Sequence, residues 1–219
     1  SVKRQSGFLT PSYRNSNIFD KSFIVPYYKV ISDDKDMTIA PELFVNNSIL
    51  LQTEYREANK NSDLHVDFSI NADEGVTKTH LFSNLLGKNE KGDDFELNFE
   101  HVTNDNYLRI HKMSSPIIDT YSSLHSYLKF YPSNEDYSLY ISAEVHENLG
   151  AFKSDRFEYI LPNYSFSKSF EALSLEGKFN LSSTGYAKNF NTNINEIYVG
   201  NNLIFNSIDF YSNSGLKNN

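Results

Sequence analysis

Two prolines, Pro11 and Pro26, interrupt runs that otherwise alternate like β-strands: Arg4-Gln5-Ser6-Gly7-Phe8-Leu9-Thr10-Pro11-Ser12 and Phe23-Ile24-Val25-Pro26-Tyr27-Tyr28. Proline nitrogen carries no hydrogen, so each takes one donor out of any ladder it enters. Two neighbouring strands with the same defect describe a seam that can be parted, and Gly7 adds backbone freedom beside it. The chemistry on offer is mechanical: bonds worth about 0.5–1.5 kcal/mol each are left unmade.

Reactive side chains give less. His65, His80, His101, His111, His125 and His146 are scattered singly, without an HExxH pattern or paired ligand spacing. Ser123-Leu124-His125 with Glu144 and Glu147 holds the ingredients of an acyl-transfer site, but no nucleophile elbow or oxyanion loop accompanies them. Asp33-Asp34 and Asp93-Asp94 do not follow the EF-hand spacing, and the nine glycines form no phosphate loop. These absences point to a chain that is not an enzyme and carries neither metal nor organic cofactor.

The elements that must position the prolines are strands. In 64–71, Leu64, Val66, Phe68 and Ile70 oppose His65, Asp67, Ser69 and Asn71; segments 95–100, 123–130 and 137–146 repeat the alternation. Polar clusters such as Ser32-Asp33-Asp34-Lys35-Asp36, Asn89-Glu90-Lys91-Gly92-Asp93 and Pro132-Ser133-Asn134-Glu135-Asp136 punctuate them as turns. The runs amount to about 10–12 strands, longer than the usual five or six residues. Residues 103–120 form the longest irregular link. One face of these strands carries full charges: Glu54, Arg56, Asp67, Glu96, Glu100, Lys129 and Glu144. Such charges need pairing in a dry core but sit at ease in a hydrated lumen, where they would line the interior.

Composition agrees. Hydrophobic residues make up 39% and aromatics 15%, with 17 Phe and 15 Tyr among 219 residues. Lipid-facing and water-facing residues cancel in this way in porin-like barrels. A net charge of -8 argues against a nucleic-acid surface. No apolar run is long enough for a transmembrane helix, and zero cysteines exclude disulfides. The first residue is Ser and the last strand-like run lacks a closing aromatic, so the chain reads as a piece of something longer. The expected fold is all-β: an antiparallel up-and-down transmembrane β-barrel segment of about 10–12 strands from a larger barrel. A self-contained smaller outer-membrane barrel, acting as a channel or lipid hydrolase, remains an alternative, as does a soluble carbohydrate-binding β-protein.

The opening residues carry a resemblance. The basic residue followed by Ser6-Gly7-Phe8-Leu9, the Pro11-Ser12 pair and the Val25-Pro26-Tyr27-Tyr28 strand resemble the start of the barrel in the lipopolysaccharide-assembly outer-membrane family LptD. Thr38-Ile39-Ala40-Pro41-Glu42 and Thr53-Glu54-Tyr55-Arg56 look like that family's third and fourth strands. Asn104-Asp105-Asn106-Tyr107-Leu108-Arg109 and Phe157-Glu158-Tyr159-Ile160-Leu161-Pro162 look similar to motifs in alphaproteobacterial members. The resemblance implies a barrel of about 26 strands, preceded by a periplasmic jelly-roll domain absent here, with residues 1–219 forming the N-terminal portion of the barrel. It implies lipopolysaccharide transport into the outer leaflet of the cell outer membrane through a lateral gate, with Pro11 and Pro26 as gate prolines and Gly7 beside them. The implied partners are lipopolysaccharide, a plug lipoprotein of the LptE type, the periplasmic lipopolysaccharide-transport bridge and outer-membrane lipid, and no nucleic acid. No cofactor is implied.

Overall fold

Each long strand pairs antiparallel with the strand that follows it in the chain, through mostly short connections and one long link at 103–122. The computed structural model describes residues 4–16, 20–45, 47–73, 75–151, 155–172, 176–190, 193–207, 210–211 and 217–218. Its first segments are β1 (Gly7–Phe8), β2 (Ser12–Ser16), β3 (Asp20–Ile24), β4 (Tyr27–Ser32) and β5 (Lys35–Phe44). Next come β6 (Ile49–Ala58), β7 (Ser62–Asp73), β8 (Val76–Lys88), β9 (Asp94–Val102), a single-turn helix α1 (Tyr107–His111), β10 (Ser123–Tyr131) and β11 (Tyr137–Asn148). The last are β12 (Phe157–Glu171), β13 (Gly177–Phe190), β14 (Ile194–Ser207), β15 (Phe210–Tyr211) and β16 (Lys217–Asn218).

Fourteen segments make one sheet, and among the described residues β15 pairs with β16 apart from it. Pro11 separates β1 from β2 and Pro26 separates β3 from β4, so the fourteen segments are twelve chain-continuous strands. That matches the all-β, up-and-down expectation and its strand count. The sheet is not closed: among the described residues nothing pairs β14 with β1 or β2. β14 runs for 14 residues, nearly all of them exposed.

Burial across this sheet is inverted relative to a water-soluble fold. Asp67, Ser69 and His80 are fully buried, and Ser22, Asp36, Glu42, Asn71 and Ser142 nearly so. Leu43, Ile49, Leu81, Phe99, Leu128 and Ile141 are exposed on the opposite face. Water alone would favour the reverse, by about 1.5–3 kcal/mol for each large apolar side chain moved. A sheet with lipid on one face and a polar interior on the other satisfies both sets of residues.

Glycine and aromatic residues pair across the strands. A methyl group at Gly87 would lie 2.5 Å from the Phe95 ring, and one at Gly185 would lie 2.6 Å from Tyr164. The rings cover backbone that glycine leaves bare. Turns follow the polar clusters. In the 89–93 turn, Asn89 Oδ1 accepts from the backbone N–H groups of Lys91 (2.8 Å) and Asp93 (3.0 Å), and Gly92 takes a φ of +87°.

The link between β9 and β10, expected as the longest irregular segment, has a turn of helix and a buried side. It contains α1, and Tyr107, Leu108 and Met113 are buried with Phe44, Leu50, Phe82, Val102, Leu124 and Leu149. Among the described residues the apolar cluster of buried side chains is therefore built by a loop lying over the polar face, not between sheets.

Candidate functional site

Pro11 and Pro26 lie at strand breaks on one margin of the sheet. Gly7 pairs with Tyr28 and Phe8 with Tyr27, whereas beyond the prolines Ser12 pairs with Ile24 and Tyr13 with Phe23. Three residues, Leu9–Pro11, thus face two, Val25 and Pro26, and the register slips by one at the breaks. The bond that survives there runs from Leu9 N–H to the Pro26 carbonyl at 2.9 Å. In an antiparallel ladder a residue's N–H and C=O point to the same neighbour. The donor missing from Pro26 therefore faces Leu9, across the boundary between the first two chain-continuous strands. The prolines expected in mid-strand lie in the gaps between segments, because each ends the ladder it enters. Gly7 sits in β1, where an added Cβ would meet nothing within 4 Å.

A third proline extends the weakness. Val25 N–H donates to the Pro41 carbonyl at 3.2 Å, so the donor missing from Pro41 faces Val25 across the next boundary. Pro41 is spaced from Pro26 as Pro26 is from Pro11. The missing donors of Pro26 and Pro41 thus fall on two successive boundaries.

Register places Glu54, Arg56, Asp67, Glu96, Glu100, Lys129 and Glu144 on the buried polar face. Glu54 stands opposite Asp67, Asp67 opposite Phe82, and Phe82 opposite Glu100. Glu96 stands opposite Lys129, and Tyr127 opposite Glu144. Arg56 Nε donates to Asp36 Oδ1 at 2.7 Å; Arg4 Nη1 and the Tyr28 hydroxyl reach Oδ2 at 2.6 and 3.1 Å. His65 Nε2 lies 2.8 Å from Glu54. Arg4, Asp36, Arg56 and His65 line a cavity of about 450 Å³ beside the β4–β5 turn. Asp33, Asp34, Glu57 and Asp63 line it too, so carboxylates outnumber the two arginines, and both arginines are already held by Asp36.

Side chains of β2, β6, β7 and the residue before β12 fasten the link over the polar face. Ser69 Oγ lies 2.7 Å from the Tyr107 hydroxyl and 2.5 Å from His80 Nδ1, while His80 Nε2 lies 3.3 Å from Asp67 Oδ1. Gln52 Nε2 donates to the Ser114 carbonyl at 3.3 Å and reaches Asp67 as well. Arg14 Nη1 donates to the His111 carbonyl at 3.1 Å and to Glu42 Oε2 at 3.3 Å. Arg156 holds Asp105 with two bonds, of 3.0 and 2.7 Å. Serine, histidine and aspartate here have the composition of a catalytic triad. All three are fully buried and the serine oxygen is engaged by Tyr107, so in this arrangement they anchor the link. Burial pushes the Tyr107 hydroxyl up to about 12, which keeps its proton in place. Sequence spacing could not show this group, because it is assembled across β7, β8 and α1.

The Asp105–Arg156 pair yields a pH test. Hydrogen bonding to Arg156 holds the Asp105 carboxyl below its ordinary value of 3.8. A depressed carboxylate stabilises the fold above its unfolded value and loses that contribution as pH falls through the folded one. Amide hydrogen exchange in residues 103–122 should therefore stay flat, after correction for intrinsic rates, from neutral pH to about pH 4 and rise below it. Arg156→Gln should raise it at every pH, and an unchanged profile in that variant would remove the pair from the account.

Cross-strand register also gathers His125, Glu144 and His146, which their spacing did not reveal. His125 pairs with His146 across β10 and β11, and the two rings stack at 4.0 Å between centroids.

No family model matches the chain. It is similar to curated proteins named LPS-assembly protein LptD. The one from Pseudoalteromonas translucida is 29% identical over 114 residues, covering 48% of this chain and 15% of the relative. Those from Pseudoalteromonas atlantica and Nitrosomonas eutropha are 26% and 29% identical over 110 and 115 residues. They cover 48% and 50% of this chain but only 14% and 15% of their own lengths. The chain is thus LptD-like over about half its length and spans a small part of the relatives it matches.

Proposed function

We propose that residues 1–219 form the first portion of an LptD-type outer-membrane barrel that delivers lipopolysaccharide through a parting seam at β1–β4. The observation that carries this reading is the placement of the donor gaps: they lie at the edge of a sheet with exposed apolar residues on one face and buried charges on the other. A lipid with an anionic sugar head and several acyl tails needs a polar path for the head and a side exit for the tails. A fully paired barrel offers none. Pro26 removes a donor at the boundary of the edge strand and Pro41 removes one at the next, so the exit would open there first.

In this reading the charged face, including Glu54, Arg56, Asp67, Glu96, Glu100, Lys129 and Glu144, lines the lumen. The link 103–122 belongs to the outer rim, where barrels of this type carry their longer loops. The plug lipoprotein and the periplasmic bridge are the partners such a barrel would need, and the cell outer membrane is its place. No catalytic step is part of the reading.

Photo-crosslinking tests it directly. With a photoreactive residue in the full-length protein, lipopolysaccharide adducts are expected at Lys129 on the polar face as well as at Tyr13 beside the seam. No adduct at Lys129 would overturn it, because a lipid-facing residue such as Tyr13 can meet lipopolysaccharide already in the membrane.

A further inference from the structure

We propose that His125, His146 and Glu144 form a binding site for a divalent transition-metal ion of the zinc class. His125 Nε2 lies 3.0 Å and His146 Nε2 lies 3.7 Å from the same carboxylate oxygen, Glu144 Oε2. Candidate ligand atoms of the three residues all fall within 4.8 Å of one another. Nitrogen and oxygen donors bound at about 2.0–2.1 Å to one tetrahedral ion stand about 3.3 Å apart. Closing the group around an ion requires side-chain shifts of about an ångström, with no change of strand register.

The carboxylate is already oriented for the task. Its other oxygen, Oε1, accepts from Ser142 Oγ at 2.6 Å and from the Tyr140 hydroxyl at 3.3 Å, which turns Oε2 toward the imidazoles. Outer partners of this kind fix a ligand's direction and raise affinity. The histidines are directly paired on adjacent strands, so the ladder itself holds their Cβ atoms at a fixed separation.

Two imidazoles and one carboxylate satisfy three positions and leave the rest of the coordination sphere open. His125 also lines a cavity of about 250 Å³ with Glu100, Asp119, Ile117 and Tyr127. That cavity has room for water or an anionic oxygen ligand as the remaining donor. The acidic lining suits a cation. The site does not depend on the transport reading, since it needs only the pairing of β10 with β11.

The test uses the full-length protein in detergent, with Zn²⁺ titrated against a chromophoric chelator and Co²⁺ as an optical probe. One equivalent of tight binding and a tetrahedral or five-coordinate Co²⁺ absorption spectrum are expected. His125→Gln and His146→Gln should each weaken binding at least 100-fold, roughly, and Ser142→Ala by about 10–100-fold. His101→Gln, whose side chain points to the other face opposite Leu81, should change nothing. Absence of stoichiometric binding in the unaltered protein would overturn the proposal whatever the variants do. So would a folded His125→Gln/His146→Gln double variant, checked by heat-modifiable gel mobility, that binds as the parent does.

Discussion

Replacing Pro11 and Pro26 together by alanine in the full-length protein is expected to cut lipopolysaccharide delivery to the cell surface sharply. Each alanine returns a donor to the edge of the sheet, and each restored bond is worth about 0.5–1.5 kcal/mol. Together they stabilise the closed seam by about 1–3 kcal/mol, which lowers the population of the open state about 5- to 150-fold. Bonds facing lipid are worth more than this, because no water competes for them. The Leu9–Pro26 contact, at 2.9 Å, shows that the strands are already close enough for the new bond without rearrangement. Pro41→Ala should act in the same direction through Val25, by about 2- to 12-fold. Gly7→Ala is the control: a Cβ there meets nothing, so any loss would come from backbone stiffness alone. Surface lipopolysaccharide and outer-membrane permeability are the readouts. Delivery at the parent rate in the double variant would end the seam account.

Tyr107→Ala carries the second large effect. The side chain is 1% exposed, packs beside His80 and His111, and holds Ser69. Removing a buried aromatic of this size costs about 3–5 kcal/mol. Most of that loss falls on the link 103–122, which keeps the Gln52, Arg14 and Arg156 bonds and the buried Leu108 and Met113. The expected outcome is protease cleavage within 103–122 and increased single-channel conductance of the full-length protein in planar bilayers. Tyr107→Phe keeps the ring and loses only the hydroxyl contact, about 0.5–1.5 kcal/mol, so the link should stay in place. Equal behaviour of the two variants would mean the ring does not hold the link. Arg14 joins both predictions. It lies three residues past Pro11 and donates to the His111 carbonyl and to Glu42. A seam that opens by moving β2 must break those bonds, so loosening the link should also ease the seam.

Alternation made the strands legible, because each face of an antiparallel sheet sees one environment along its whole length. Segments 64–71 and 137–146 fall within β7 and β11. The charged face was legible for the same reason: period two puts Glu54 and Arg56 together without reference to neighbours. What stayed hidden depends on register between strands. Asp67 meets His80 because β7 and β8 pair with one offset, and His125 meets His146 because β10 and β11 pair with another. Neither offset can be read from spacing along one strand. The inward link was missed because apolar residues in 107–118 lack a strand period and are too few for a recognisable helix. Pro41 was visible as a residue, but its effect follows from which neighbour its missing N–H faces.

β14 ends the sheet with fourteen residues whose outer flank has no partner among the described residues. In a bilayer such a flank cannot be left waiting, since hydrocarbon supplies nothing to replace a missing strand. Insertion and recruitment of a neighbour must then be one event, zipped from this margin, rather than two successive ones. In the proposed reading the opposite margin, with its imino residues, is the cheaper of the two to undo, so a barrel built on this sheet would have one flank made for joining and one made for parting.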